Sequence, residues 1–568
     1  SLFHILAQTQ KVDRKMLLDQ IELEKAAIAG DPEACIAAIT INSDPEISFR
    51  TPYEFIYAKY DQAQNIQNLY FKSGGMWHPF HSVVRLSIVI DILKAPMCLG
   101  GAGLDLDTMK LKEEIVAFFP KHAEKRKHDL YKKWLVLMQW PWKAPYDQIK
   151  DYFGEKIGLY FHFLGHLIAW LIPLGLAGFI TALTVYISDN DEHAITLAFA
   201  VIVVFWSITM LEFWKRKEKH VALEWGMVDF ERGEHTRPEY KGELINSPID
   251  GRKILYYPSN ERLWRARKAS IVTLSMILIV ISCIAAVYTV RWYLLYKTSR
   301  DWAETWGDTI ASIINSVQIQ ILNHFYKKFA VALTDFENHR TTTEYEDSLI
   351  FKLFSFTFCN SYGGLIYLAF IGEPIFGLEC EPSCMTLIAT NLTIVFIVEL
   401  VVGNLTEVLL PCIKFYMSVK AEKGGNGKAF VGRSKRTEAE KGRHLEQYDP
   451  IMGTMMDYAE LAVQFGYITL FVVAFPLAPF LALISDYVEF RLDGFKLLTQ
   501  MQRPVPRGAE DIGSWQQVFT AITCIAVITN SALVCLVYND LVGTYSLSTR
   551  LWLFILCQWI AFTFMAAL

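Results

Sequence analysis

Four acidic side chains set in an apolar stretch are the residues best placed to do chemistry: Asp457, Glu460, Glu489 and Asp493. The first two are three positions apart and the last two four apart, so each pair stacks on one face of a helix. The two pairs lie symmetrically about the residues just before Pro476 and Pro479, where a helical hairpin would turn, Glu460 matching Glu489 and Asp457 matching Asp493. Folded that way, the two arms bring all four carboxylates to one depth. Inside a low-dielectric bundle they repel one another and lose hydration unless protons or a cation neutralise them. An all-oxygen cluster without Cys or His suits a hard cation, and several flexible carboxylates favour Ca²⁺ over Mg²⁺. The plainer alternative, helix ends whose acids are simply solvated, is kept open by the neighbouring Asp486 and Arg491 but explains two symmetric pairs less economically.

Such acids need an apolar scaffold, and the composition supplies one. Hydrophobic residues make up 52% of the 568 and mean hydropathy is +0.24. With repeated apolar runs of about 20 residues, this argues for an all-α polytopic membrane protein rather than a soluble enzyme. Spans are expected at 159–187, 194–214, 269–296, 306–332, 348–371, 384–412, 452–474, 476–490, 516–537 and 550–568, ten transmembrane helices in all. Residues 1–150, punctuated at Asp31-Pro32, Gly74-Gly75 and Gly100-Gly101, read as a cytosolic α+β domain that is expected to be incomplete; 151–568 form the membrane domain. Thirteen Lys/Arg between Lys215 and Lys268 and eight between Met417 and Pro450 contrast with none at 188–193, 372–383 and 538–549. The positive-inside rule therefore places the rich loops, both termini and the acidic pairs on the cytosolic side.

The fourth span is unusually polar. Asp308, Thr309, Ser312, Asn315 and Ser316 open a track that continues through Gln318, Gln320 and Asn323. Helix-to-helix glue accounts for some of these groups, but their number favours a hydrophilic furrow, since a lipid-facing helix would not tolerate them. In the sixth span Asn404 and Glu407, again three apart, can add a third wall to the acidic site.

Other signals are weaker. His162 and His166 share a helical face but lack a third ligand, which favours an interior role. Cys380 and Cys384 in GLECEPSC are expected to enter a disulfide whose pairing is open, and the other cysteines show no zinc spacing. GGNGKA at 424–429 departs from a phosphate loop at both ends and reads as a flexible loop. No catalytic triad, dinucleotide fingerprint or nucleic-acid motif stands out, so a non-enzymatic role is expected.

The stretches YDQIKDYFGEKIGLYF, LEFWKRKEKHVALEW, ALTDFENHRTTTEYEDSLIFKLF and QFGYITLFVVAFPLAPFLALISDYVEFRLD together make the chain resemble the anoctamin family from about residue 77 onward. That family comprises calcium-activated phospholipid scramblases and anion channels. The resemblance implies ten membrane helices, a homodimer with one pathway per subunit, a furrow bordered by the fourth to sixth helices, and phospholipids or anions as the transported partners. It also implies residence in the plasma membrane or endoplasmic reticulum. Carried over position by position, the calcium ligands fall on Asn404, Glu407, Asp457, Glu460, Glu489 and Asp493. Departures are Asp457 where relatives often have Glu, Gly403 and Ser485 at positions of ligating Asn, and Ile397-Val398 where anion channels carry Gly and then Lys. The last of these loses a pore cation and leans weakly away from anion selectivity; a calcium-activated anion or non-selective ion channel and a non-transporting membrane tether stand as alternatives to a scramblase.

Overall fold

The computed structural model describes residues 9–13, 55–60, 80–95, 118–136, 139–188, 193–228, 239–246, 253–297, 301–372, 384–398, 445–449, 451–537 and 545–568, with isolated positions and short stretches between them. Among these residues the protein is mostly helical. In the first 150, strands β1 (Thr9–Asp13) and β2 (Phe55–Lys59) pair antiparallel with Thr9 opposite Lys59. Helices α1 (Ser82–Lys94), α2 (Glu124–Trp134) and α3 (Tyr146–Phe153) lead toward the bundle.

Ten helices then follow among the described residues at the positions read from hydropathy: α4 (Glu155–Ser188), α5 (Ala194–Trp225), α6 (Ser259–Lys297), α7 (Asp301–Glu337), α8 (Thr342–Phe370), α9 (Cys384–Ile397), α10 (Met452–Leu470), α11 (Ala478–Thr499), α12 (Trp515–Ala532) and α13 (Leu547–Ala567). A short antiparallel pair, β3 (Glu243–Asn246) with β4 (Lys253–Tyr256), sits in the basic connection between α5 and α6. Six of the ten, α4, α5, α6, α8, α12 and α13, are long and apolar enough by themselves to cross a membrane. The other four include the helices that carry the polar track and the acidic pairs, and those polar groups are what lower their hydropathy. The described part of α9 ends at Ile397, and the rest of the sixth expected span lies outside the described residues.

Local chemistry sets the ends of these helices. Thr341 caps α8 by accepting from the Glu344 N–H at 3.2 Å, while Glu344 reaches back to the Arg340 N–H at 3.2 Å, a reciprocal arrangement that satisfies two orphan donors. Glu234 accepts from the Thr342 and Thr343 amides at the same terminus, where the helix dipole favours a negative charge. Gly226 stops α5 in the left-handed conformation at φ 70°, which a residue without Cβ adopts at no steric cost.

The core is aromatic where α2, α4 and α11 meet. Trp134 is fully buried and packs edge-on against Phe161 at 4.6 Å and Phe490 at 6.4 Å. The chain before the membrane helices is latched to the α11–α12 connection: His122 Nδ1 is 2.9 Å from the Tyr152 hydroxyl and Nε2 3.1 Å from the Met501 carbonyl. The Arg503 guanidinium lies 4.1 Å above the Tyr152 ring and donates to the Tyr152 carbonyl.

Candidate metal site and polar furrow

The two acidic pairs lie on successive helices, Asp457 and Glu460 on α10 and Glu489 and Asp493 on α11. Pro479 stands in the first turn of α11, where its missing N–H costs nothing. Helix α11 packs along α4, and a run of its polar residues is buried: Glu489 is 6% exposed, Asp493 3% and Asp486 1%. On α10, Asp457 is half-buried and Glu460 exposed.

Each buried group has a definite environment. The Tyr160 hydroxyl of α4 donates to Asp493 Oδ2 at 2.6 Å, and the Lys496 ammonium pairs with Oδ1 at 2.8 Å. Tyr160 is also within electrostatic reach of Glu489 and Asp457. Tyr448, just before α10, faces Asp457, Lys496 and Asp493; burial pushes its hydroxyl well above the usual tyrosine range and the Asp457 charge adds to the shift. Arg491 turns away from the acids, its guanidinium held by the backbone carbonyls of Trp134 and Gln139. The cation beside the site is therefore Lys496, which the sequence reading passed over. Its spacing of three from Asp493 on one helix was the available signal.

Asp486 was read only as a flanking charge. It is among the most buried acids of the described residues, and its carboxylate faces the Gln464 side chain. It stands within electrostatic reach of Glu460 on the facing arm, with Gln464 beside it. A carboxylate charge at that depth costs several kcal/mol, which either a proton or a nearby cation offsets, so the oxygen donors of this region are compatible with a hard cation. Among the described residues no three His, Cys, Asp or Glu side chains converge closely enough to hold a metal ion by themselves. Asn404 and Glu407, the two expected ligands of the sixth span, lie outside the described residues, as does Gly403.

Next to the acids runs a furrow of about 370 Å³ between α7, α8, α9 and α10. Ser316, Gln320, Asn323 and Lys327 of α7 line one side, Thr357 and Ser361 of α8 another, and Asp457 and Glu460 of α10 a third. Spaced four, three and four apart, the α7 residues form one face, while Val317, Ile321 and Phe325 on the opposite face are exposed. Of the expected track, Ser316 reaches the furrow, Ser312 and Asn315 are buried above it, Thr309 is half-buried, and the Asp308 side chain is outside the described set. Asn315 lies close to Gly364 of α8. The furrow thus draws on polar residues one to three turns further along α7 than the first five. Asn360, fully buried in α8, ties the helices together by donating to Asn323 at 2.9 Å and accepting from Gln318 at 3.2 Å. Val398, at one of the positions that departs from the anion channels, lines the same furrow.

The histidine pair is interior. His166 Nε2 lies 3.1 Å from the Met210 carbonyl, and His162 stacks on Tyr146 at 4.1 Å. Cys380 and the loop at 424–429 lie outside the described residues.

Residues 149–568 match the family model described as "Anoctamin: Calcium-activated chloride channel". The chain is 31% identical over 476 residues to mouse Anoctamin-7, covering 71% of this chain and 54% of that protein. It is 31% identical over 484 residues to human Anoctamin-3, covering 72% and 48%, and 28% identical over 513 residues to human Anoctamin-5, covering 76% and 55%. The chain thus spans about half the length of the curated relatives it matches. A match over most of its length, with the acidic hairpin inside it, makes this multi-pass membrane protein a member of the anoctamin family.

Proposed function

We propose that the chain is a calcium-gated phospholipid scramblase. The observation that carries this reading is the furrow of about 370 Å³ in which the polar face of α7 meets Asp457 and Glu460. We read α4 to α13 as ten crossings, with the basic connections and the acidic pairs toward the cytosol. In this reading Asp457, Glu460, Glu489 and Asp493, joined by Asn404 and Glu407, hold calcium, which when bound supplies the positive charge that offsets their mutual repulsion. Relief of that repulsion lets the sixth helix approach α10 and α11. Ser316, Gln320 and Asn323 then offer hydrogen bonds to a headgroup crossing the apolar layer, where unsatisfied polar groups cost several kcal/mol. The acyl chains stay in lipid, and the flux runs down its gradient with no bond made or broken.

Lys327 in the same furrow favours a second reading, anion conduction, because it places a fixed positive charge on the path. Purified protein in liposomes, with lipid exchange and ion flux followed together with and without Ca²⁺, separates the two. Calcium-dependent lipid exchange is expected; ion flux without lipid exchange would assign the protein to the channels.

A further inference from the structure

A second cavity, of about 330 Å³, lies away from the furrow, between the start of α4, the segment after α5, the first turns of α8 and α10, and the connection into α12. Its lining holds the carboxylates of Glu231, Glu234, Glu346, Asp347, Glu510 and Asp511 against the two cations Lys156 and Arg507. Both cations are drawn to one acid, Glu346, at 2.6 and 3.8 Å. Glu234 and Asp347 are satisfied by amide and hydroxyl donors that carry no charge. Exposed Lys219 only approaches Glu510 and Asp511, at 3.9 and 3.7 Å. Burial and the surrounding carboxylates of Asp511, Glu510, Asp347 and Glu234 push Glu231 up to about 7, so these five acids face one another across the space.

The back wall adds an independent sign of a missing partner. Tyr458 of α10, 4% exposed, is one of the lining residues, and its buried hydroxyl has no hydrogen-bond partner among the described residues. It lies within electrostatic reach of Glu218, Asp457 and Asp511. Leu159, Phe230, Ile350 and Trp515 supply apolar wall between the acids. The carboxylates ring the cavity rather than converge on a point, which suits a cation whose charges are spread along an apolar chain better than a bare metal ion.

We propose that this cavity binds a linear aliphatic di- or triamine, its ammonium groups on the acidic rim, one of them hydrogen-bonded to the Tyr458 hydroxyl and its methylenes against the apolar wall. The site is mechanically close to the acidic hairpin. Tyr458 follows Asp457 in α10, and its ring meets that of Tyr160 edge-on at 5.4 Å; the Tyr160 hydroxyl in turn holds Asp493. An amine that orders Tyr458 therefore shifts the calcium response, and this coupling, unlike the binding, rests on the calcium reading above.

The test is calorimetric titration of the full chain in detergent with spermidine, first in calcium-free buffer. Saturable binding of one spermidine per chain is expected. Glu231→Gln with Glu510→Gln should weaken it at least tenfold and Tyr458→Phe severalfold, whereas Lys219→Gln should tighten it by removing a competing cation. Absence of saturable binding, or equal binding by the double variant and the unmodified chain, would overturn the site. The liposome calcium titration is then repeated with spermidine. An unchanged midpoint despite binding overturns the coupling, while a flat calcium response with and without amine counts against the calcium reading and leaves the binding result standing.

Discussion

At the scale of single residues, the acids of the hairpin differ in how they meet their surroundings, and this grades the expected effects of neutralising them. Glu489 is buried and faces Tyr160. Glu489→Gln keeps its size but removes one full charge from the proposed cation site, so calcium activation should move to tenfold or higher concentration, the equivalent of about 1.4 kcal/mol or more. Asp486 is also buried, within reach of Glu460, but contributes as a nearby charge rather than a ligand in the proposed set. Asp486→Asn should therefore shift activation by less, roughly threefold, or about 0.7 kcal/mol. Titrating Ca²⁺ against lipid flux in liposomes checks both; unchanged midpoints in both variants would place the calcium site elsewhere.

At the scale of elements, α7 works by having two faces. Its furrow side carries Ser316, Gln320 and Asn323, so Gln320→Leu with Asn323→Leu should slow lipid flux more than Thr309→Leu with Ser312→Leu. Calcium activation should keep its midpoint in both pairs, and equal slowing would mean that the path runs along the earlier positions. Helix α10 is held to α8 by a different device. The Tyr362 hydroxyl donates to the Val463 carbonyl at 2.7 Å and lies over Gly466, where a Cβ would collide with it. Gly466→Ala should destabilise the bundle by about 1–3 kcal/mol through overpacking. Thermal unfolding of the detergent-solubilised protein measures this, and a variant as stable as the parent would show that the Tyr362 side chain can move aside at no cost.

At the scale of the whole molecule, the segment before the membrane helices is locked to the α11–α12 connection through His122. Burial pulls this imidazole from 6.5 down to about 4. The folded form thus refuses a proton that the unfolded form accepts below about pH 6.5. The stability of this latch is complete above that value and is lost as the pH falls toward 4, by up to about 3 kcal/mol. Hydrogen exchange of the backbone amides of α2 should accelerate between pH 6.5 and 4.5, after correction for the intrinsic rate, and His122→Gln should flatten that dependence. A pH-independent protection pattern in the parent protein would show that the latch does not rest on neutral His122.

The sequence alone determined where the helices lie and which acids pair, because both follow from local periodicity: runs of apolar residues of membrane length, and carboxylates three or four positions apart on one helical face. Family membership was legible for the same reason, being written in contiguous motifs. The rotation of each helix about its axis was not legible, since it depends on partners distant in the chain. Only the tertiary structure decided that Lys496 rather than Arg491 stands beside the acids, that Asp486 is buried beside Gln464, and that the furrow takes Ser316, Gln320 and Asn323 while Ser312 and Asn315 pack inside. The acidic cavity is the extreme case. Its walls come from positions as far apart as Lys156, Glu231, Asp347, Tyr458 and Asp511, and no spacing rule links them, because the contacts among packed helices alone bring their charges to one place.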